Sequence, residues 1–278
     1  MFERHRVPIL HAIFLGIVQG LTEFLPLSSS GHLILVPELL GWDELPTDIK
    51  RAFDVSLHLG TLVAVVAYFR SDLARYACAG WRSLATRSIP DLDARVAWLL
   101  VVATIPAVIV GATFDTYIED HLTGPVTVGV MLVVFGIVLG LADRLPSRRQ
   151  MSSTRVTDGW SLGVAQSVAL VPGTSRSGIS ISAGRALGFD RDTATRLAFL
   201  MLAPVTVAAA VYTGVELAVE GFPRDMVAPF AVGMITSAIT GYAAIWWLLR
   251  FVRTRGFAPF VVYRLVVGLA VILWFGVR

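Results

Sequence analysis

Apolar residues in this chain come in long blocks and do not alternate with polar ones. Residues 96–114, 126–142 and 228–249 each approach the roughly 20 positions that a helix needs to cross a hydrocarbon core. The pattern predicts six membrane-spanning helices, at about 52–70, 94–114, 124–143, 194–216, 227–250 and 258–277. Two further apolar segments, 8–41 and 159–188, break midway, at the polar runs 26–31 (PLSSSG) and 172–178 (PGTSRSG). Each half of these segments is too short to span comfortably. Irregular backbone at membrane depth is tolerated only when buried in protein or lining a wet cavity. They are therefore expected to be re-entrant helical hairpins, or broken helices, with polar tips inside the membrane.

Composition agrees. The chain has 278 residues, 55% hydrophobic and only 15% charged, where a soluble domain carries about 25% charge; the mean hydropathy is +0.72. The expectation is an all-α polytopic membrane protein, one integral domain over 1–278, in contact with membrane lipids. The start resembles a signal peptide, but no small-x-small site follows and Gln19 and Glu23 interrupt the apolar run, so it reads as retained. Cys78 is the single cysteine, which excludes an intrachain disulfide.

The net charge of +3 does not point to nucleic acid, because in a membrane protein an arginine excess reports sidedness. Arg70, Arg75, Arg82, Arg87 and Arg95 fall between the first two spans, and Arg144, Arg148, Arg149 and Arg155 after the third. Arg185, Arg191 and Arg196 follow the second hairpin, and Arg250, Arg253 and Arg255 the fifth span. The alternate loops carry Asp115, Glu119 and Asp120, then Glu216, Glu220 and Asp225. With the arginine-rich loops cytoplasmic, both termini are expected outside.

The chain also matches itself at an offset of 147. Gly16, Gln19, Ser30 and Gly31 fall on Gly163, Gln166, Ser177 and Gly178. Each copy, about 8–143 and 159–277, is a broken hairpin followed by three spans. Three is odd, so the second copy is expected upside down, with the two tips meeting near the midplane, as in inverted-topology repeats. Chance matching of Gly and Ser is the alternative.

Candidate chemistry concentrates at those tips. Gln19 and Glu23, four apart, share a helix face. Ser28, Ser29, Ser30 and Gly31 open the next helix, with His32 in its first turn. Gly173, Thr174, Ser175, Arg176 and Ser177 form a loop leading into a helix start, a natural anion site without the Lys-Ser/Thr ending of a nucleotide-binding loop. Glu23 and Arg176 each cost about 2.5–3.5 kcal/mol mid-membrane. Either they only pair and staple the halves, or they work on a phosphate ester or anhydride. In the second case the carboxylate implies a divalent cation, Mg²⁺ or Ca²⁺, held by Glu23 with Gln19. Asp54 and His58, also four apart, suggest a supporting role.

The stretches GIVQGLTEFLPLSSSGHL, FDVSLHLGTLVAVVAYF and PGTSRSGISIS closely resemble the undecaprenyl-diphosphate phosphatase family, also called the bacitracin-resistance proteins. The likeness in span layout covers essentially the whole chain. It maps the family's first motif onto Gln19 and Glu23, its serine pair and histidine onto Ser28, Ser29 and His32, and its second motif onto Ser175 and Arg176. A downstream hydroxyl falls on Ser180. Gln19 replaces a carboxylate found in many members, and Ser30 and Ser180 stand where some carry Thr. The resemblance implies a bacterial inner-membrane enzyme that removes the terminal phosphate from a C55 polyprenyl diphosphate, recycling the lipid carrier of cell-wall synthesis and conferring bacitracin resistance. It leaves a homodimer open.

On this reading Arg176 and its loop hold the diphosphate. The attacking group is either Ser29, with His32 as general base, or a metal-activated water. The rival is a lipid-phosphate transporter or flippase using the same midplane anion site, since broken helices in inverted repeats also build transporters.

Overall fold

A computed structural model describes residues 7–42, 46–89, 91–220 and 226–277, without the side chains of 47, 48, 115 and 212–220. The basic flank at 1–6 and Asp225 lie outside the described residues, as do the side chains of Asp115, Glu216 and Glu220. The described chain is helical; its only β feature is an isolated bridge between Arg149 and Phe189.

The first broken segment is α1 (Ile9–Phe24) and α2 (Ser29–Leu40); the second is α7 (Asp158–Ser167) and α8 (Arg176–Ala186). At 1.5 Å per residue none of the four reaches the ~30 Å of a hydrocarbon core. The break after α1 follows from Pro26: the preceding residue is pushed out of the helical region, and Leu25 is extended at φ −65°, ψ 136°. The spans are α3 (Thr47–Tyr68), α5 (Leu92–Leu122), α6 (Pro125–Asp143), α9 (Arg191–Glu220), α10 (Val227–Phe251) and α11 (Ala258–Gly276). Among the described residues, five of these are long and apolar enough to cross a membrane, and a sixth span is reached by α3 together with α4 (Arg70–Thr86) across an 83° bend. Lys50, Arg51 and Asp54 dilute the apolar character of α3.

Helix α4 corrects the expectation of a plain loop over 70–95. Its Tyr76, Ala79 and Ser83 lie along one face and are buried, and Ser83 Oγ accepts a hydrogen bond from Trp98 Nε1 of α5 at 2.7 Å. The arginines on its outer face mask this short stripe in the sequence. Helix α5 also runs past the expected end at 114, to Leu122.

Neither half closes on itself. Helix α1 packs along α10 of the second half, while α7 packs along α5 of the first. Gly16 and Gly163, 147 apart, serve these two crossings alike. A Cβ at Gly16 would lie 2.6 Å from the Gly233 carbonyl oxygen, and one at Gly163 would lie 2.5 Å from that of Ala103. Between the halves, α3 packs on α9 and α6 on α11. The core threads through these contacts, with Phe24 edge-on to Phe199 at 5.2 Å.

Candidate functional site

The two hairpin tips are built alike. Ser28 and Ser175, again 147 apart, are the N-caps of α2 and α8, with φ of 77° and 73°. Each side chain accepts from the amide of the third residue of its helix, Gly31 N at 3.4 Å and Gly178 N at 3.1 Å. Left-handed φ costs a non-glycine residue of order 1–3 kcal/mol and persists where surroundings over-determine it, commonly at functional sites. The strain sets up the next residue. Ser29 and Arg176 each occupy the first position of their helix, where the dipole and free N–H groups favour an anion.

The tips touch directly. Gly173 N donates to Ser28 Oγ at 3.1 Å, and Ser177 Oγ donates to the Leu25 carbonyl at 3.4 Å. Ser177 Oγ also lies 3.3 Å from Ser175 Oγ, and Ser30 Oγ 3.5 Å from Ser28 Oγ. Thr174 and Ser180 are buried, with hydroxyls that have no hydrogen-bond partner among the described residues.

Glu23 is the hub. It is buried on α1, one turn beyond buried Gln19, whose Nε2 donates to Glu23 Oε2 at 3.2 Å. Ser29 Oγ donates to the same oxygen in a short hydrogen bond. His58 Nε2 from α3 lies 3.6 Å from it, and Arg176 Nη1 lies 3.9 Å from Oε1. Arg176 also reaches Thr206 Oγ1 of α9 at 3.5 Å, and its side chain keeps 23% exposure. One carboxylate thus collects a hydroxyl from the first tip, a guanidinium from the second and an imidazole from a span.

Gln19, Glu23, Ser29 and Arg176 come together as expected from the sequence. His32 does not join Ser29. Its Nδ1 faces the Ser28 carbonyl at 2.7 Å and its Nε2 faces Tyr263 Oη of α11 at 2.8 Å. A carbonyl only accepts, so Nδ1 carries a proton, and in the neutral ring Nε2 accepts from the tyrosine. A Ser29–His32 base pairing is replaced by Ser29–Glu23, because the capping turn aims the ring back at its own backbone. Of the Asp54–His58 pair only His58 faces the site; Asp54 pairs with Lys50 at 3.2 Å.

Three residues escaped the sequence reading: Thr206, Tyr263 and Arg264. The first two give no local signal. Arg264 did: it is a lone charge inside the apolar span 258–277, the same cue that singles out Glu23 and Arg176.

Among the described residues no group of three or more His, Cys, Asp and Glu side chains could hold a metal. Gln19 Oε1 and Glu23 Oε1 are nevertheless buried oxygens without a hydrogen-bond partner. Two hard oxygens fit a cation whose remaining ligands are phosphate oxygens and water, the usual Mg²⁺ arrangement.

A protein from Pelobacter propionicus named undecaprenyl-diphosphatase is 44% identical over 266 residues, covering 95% of this chain and 96% of its own. Relatives with the same name from Geobacter sulfurreducens and Hahella chejuensis are 43% and 40% identical, covering 97% and 95% of this chain, and 99% and 97% of their own lengths. The family model of the bacitracin resistance protein BacA matches residues 12–270, and the chain belongs to the BacA family.

Proposed function

We propose that this protein hydrolyses undecaprenyl diphosphate to undecaprenyl phosphate and inorganic phosphate. It thereby returns the lipid carrier to cell-wall synthesis and confers bacitracin resistance. The observation that carries the reading is the Ser29 hydroxyl bonded to the Glu23 carboxylate at a helix N-terminus, opposite Arg176. A transporter needs an anion site but no hydroxyl held against a base, so this pair favours hydrolysis. The names of the full-length relatives support the same activity.

Arg176 grips the terminal phosphate with its planar fork. Ser28, Ser30 and the hydroxyls of Thr174, Ser175, Ser177 and Ser180, with the backbone around Gly173, line the phosphate's surroundings. Ser29 Oγ attacks the terminal phosphorus while its proton passes to Glu23. The anhydride P–O bond breaks, and undecaprenyl phosphate leaves with the electron pair. Glu23, after yielding its proton to the departing phosphate, takes one from an incoming water. That water hydrolyses the phosphoserine, and Ser29 recovers a proton from Glu23. The α2 dipole at Ser29 favours the negative charge that develops on its oxygen during attack. His32 orders the tip and does not take the serine's proton. Gln19 and Glu23 would hold a divalent cation, Mg²⁺ or Ca²⁺, which supplies charge neutralisation to the diphosphate.

In the bacterial inner membrane, the arginine-rich loops and α4 lie on the cytoplasmic side and both termini outside. Exposed Val211, Ile239, Val266 and Leu273 meet lipid, and sizing the purified protein reads whether a homodimer covers them. Purified protein with undecaprenyl diphosphate and Mg²⁺ or Ca²⁺ should release phosphate, and rapid quench with labelled substrate should trap phosphate on Ser29. No release with either ion would sink the assignment. Substantial turnover by Ser29→Ala would replace serine attack with water attack.

A further inference from the structure

Arg264 is the largest fully buried side chain among the described residues, with 0% exposure, and it sits in the second turn of α11. It belongs to neither hairpin, yet its guanidinium reaches both. Nη1 donates to the Pro26 carbonyl of the first tip at 3.2 Å. Nη2 donates to the Gly173 and Thr174 carbonyls of the second tip at 3.0 and 2.9 Å. Nε donates to the Leu132 carbonyl of α6 at 3.2 Å, and Nη2 to that of Met131 at 3.3 Å. Among the described residues no carboxylate lies within ion-pairing distance of it, so carbonyl dipoles alone accommodate its charge.

A buried cation is ordinarily paired with an anion. One solvated by five carbonyls from three segments instead fixes those segments relative to each other, since Nε, Nη1 and Nη2 of one rigid fork bond α6, the first tip and the second tip together. In a planar trans peptide the carbonyl and the following N–H point opposite ways. Drawing the Gly173 and Thr174 carbonyls inward therefore turns the Thr174 and Ser175 N–H groups away from Arg264. The positive charge also lies directly behind the two loops that present Ser29 and Arg176.

We propose that Arg264 is a positioning residue for the phosphatase site: it sets the spacing of the two hairpin tips, and so of Ser29 and Arg176, without touching substrate. This rests on the two-tip reading of the site. Lysine has three donors on one atom and cannot serve both tips and α6; glutamine keeps a donor but loses the charge and the fork. Ser28 and Ser177 still tie the tips weakly, so the variants loosen the register without separating the halves.

The test uses the full chain in lipid nanodiscs, with Arg264→Lys and Arg264→Gln, and follows three readouts. Both variants should still fold and unfold in a single transition, at a temperature lowered by the loss of these buried hydrogen bonds. The kcat for undecaprenyl diphosphate should drop about 100-fold, as for displacements near 1 Å at a reacting centre, with little change in KM and no rescue by lysine. Hydrogen–deuterium exchange should rise in peptides covering 22–32 and 170–180, and stay unchanged in α3 and α9. Near-wild-type turnover in Arg264→Lys overturns the proposal. So does lost turnover with unchanged tip exchange. Failure of both variants to give folded protein also overturns it, because the residue would then be a requirement of the whole fold. If the wild type releases no phosphate but the variants' tips still loosen, the activity reading fails and the positioning role stands. If the wild type is active and the variants match it in turnover and exchange, only the positioning role fails.

Discussion

Replacing Glu23 by Gln removes one charge and almost no volume from the centre of the site. The carboxylate takes hydrogen bonds from Ser29 and Gln19 and lies within 4 Å of Arg176 and His58. An amide can still accept from Ser29 but cannot take up its proton. General-base catalysis contributes about 10²–10⁴-fold, so a kcat loss of about 10³ is expected, equivalent to about 4 kcal/mol of barrier. Substrate affinity should respond less. Neutralising Glu23 releases Arg176 from the carboxylate but weakens the hold on the cation, so at a saturating cation concentration KM should change little. Steady-state phosphate release at saturating Mg²⁺ or Ca²⁺, with kcat and KM resolved, separates these effects. A kcat within tenfold of wild type would refute the base assignment. A raised KM with intact kcat would mean that Glu23 only helps bind.

Arg176→Lys should lower kcat/KM by at least about 30-fold, because a point donor forfeits the bidentate grip worth roughly 2 kcal/mol or more; near-normal kinetics would mean the arginine merely joins the halves. Tyr263→Phe removes one hydrogen bond from His32 and should cost about two- to tenfold in kcat, and a loss as deep as that of Ser29→Ala would return His32 to the proton transfer. Gln19→Ala should raise the Mg²⁺ or Ca²⁺ concentration needed for half-maximal turnover, whereas wild-type activity indifferent to a chelator would remove the cation. In a Cys78→Ser background, an impermeant thiol reagent applied to sealed cells should label a cysteine at Glu119 but not one at Ser147, and equal labelling would overturn the assigned orientation.

Much of this molecule is legible in its primary structure, for one physical reason: a bilayer forces each spanning segment to satisfy its own backbone hydrogen bonds. Length and hydropathy therefore mark α5, α6, α9, α10 and α11 without reference to neighbours, and the polar interruptions at 26–31 and 172–178 mark the tips. At the offset of 147, Gly16 and Gly163 both sit at close helix crossings, and Ser28 and Ser175 both cap helices. Local chemistry is equally plain where it is contiguous, as with Ser28 capping its own helix. What the sequence does not contain is the partner of each group across the fold. Three residues of spacing offered His32 to Ser29, but the capping turn gives the ring to the Ser28 carbonyl and brings Glu23 to the serine instead. His58 reaches that carboxylate only because α3 packs beside α1, and Arg264 reaches both tips only because α11 packs on α6. The halves share a scaffold, with Ser29 and Arg176 in matching first-turn positions, but tertiary packing alone decides that one faces the other across a single carboxylate.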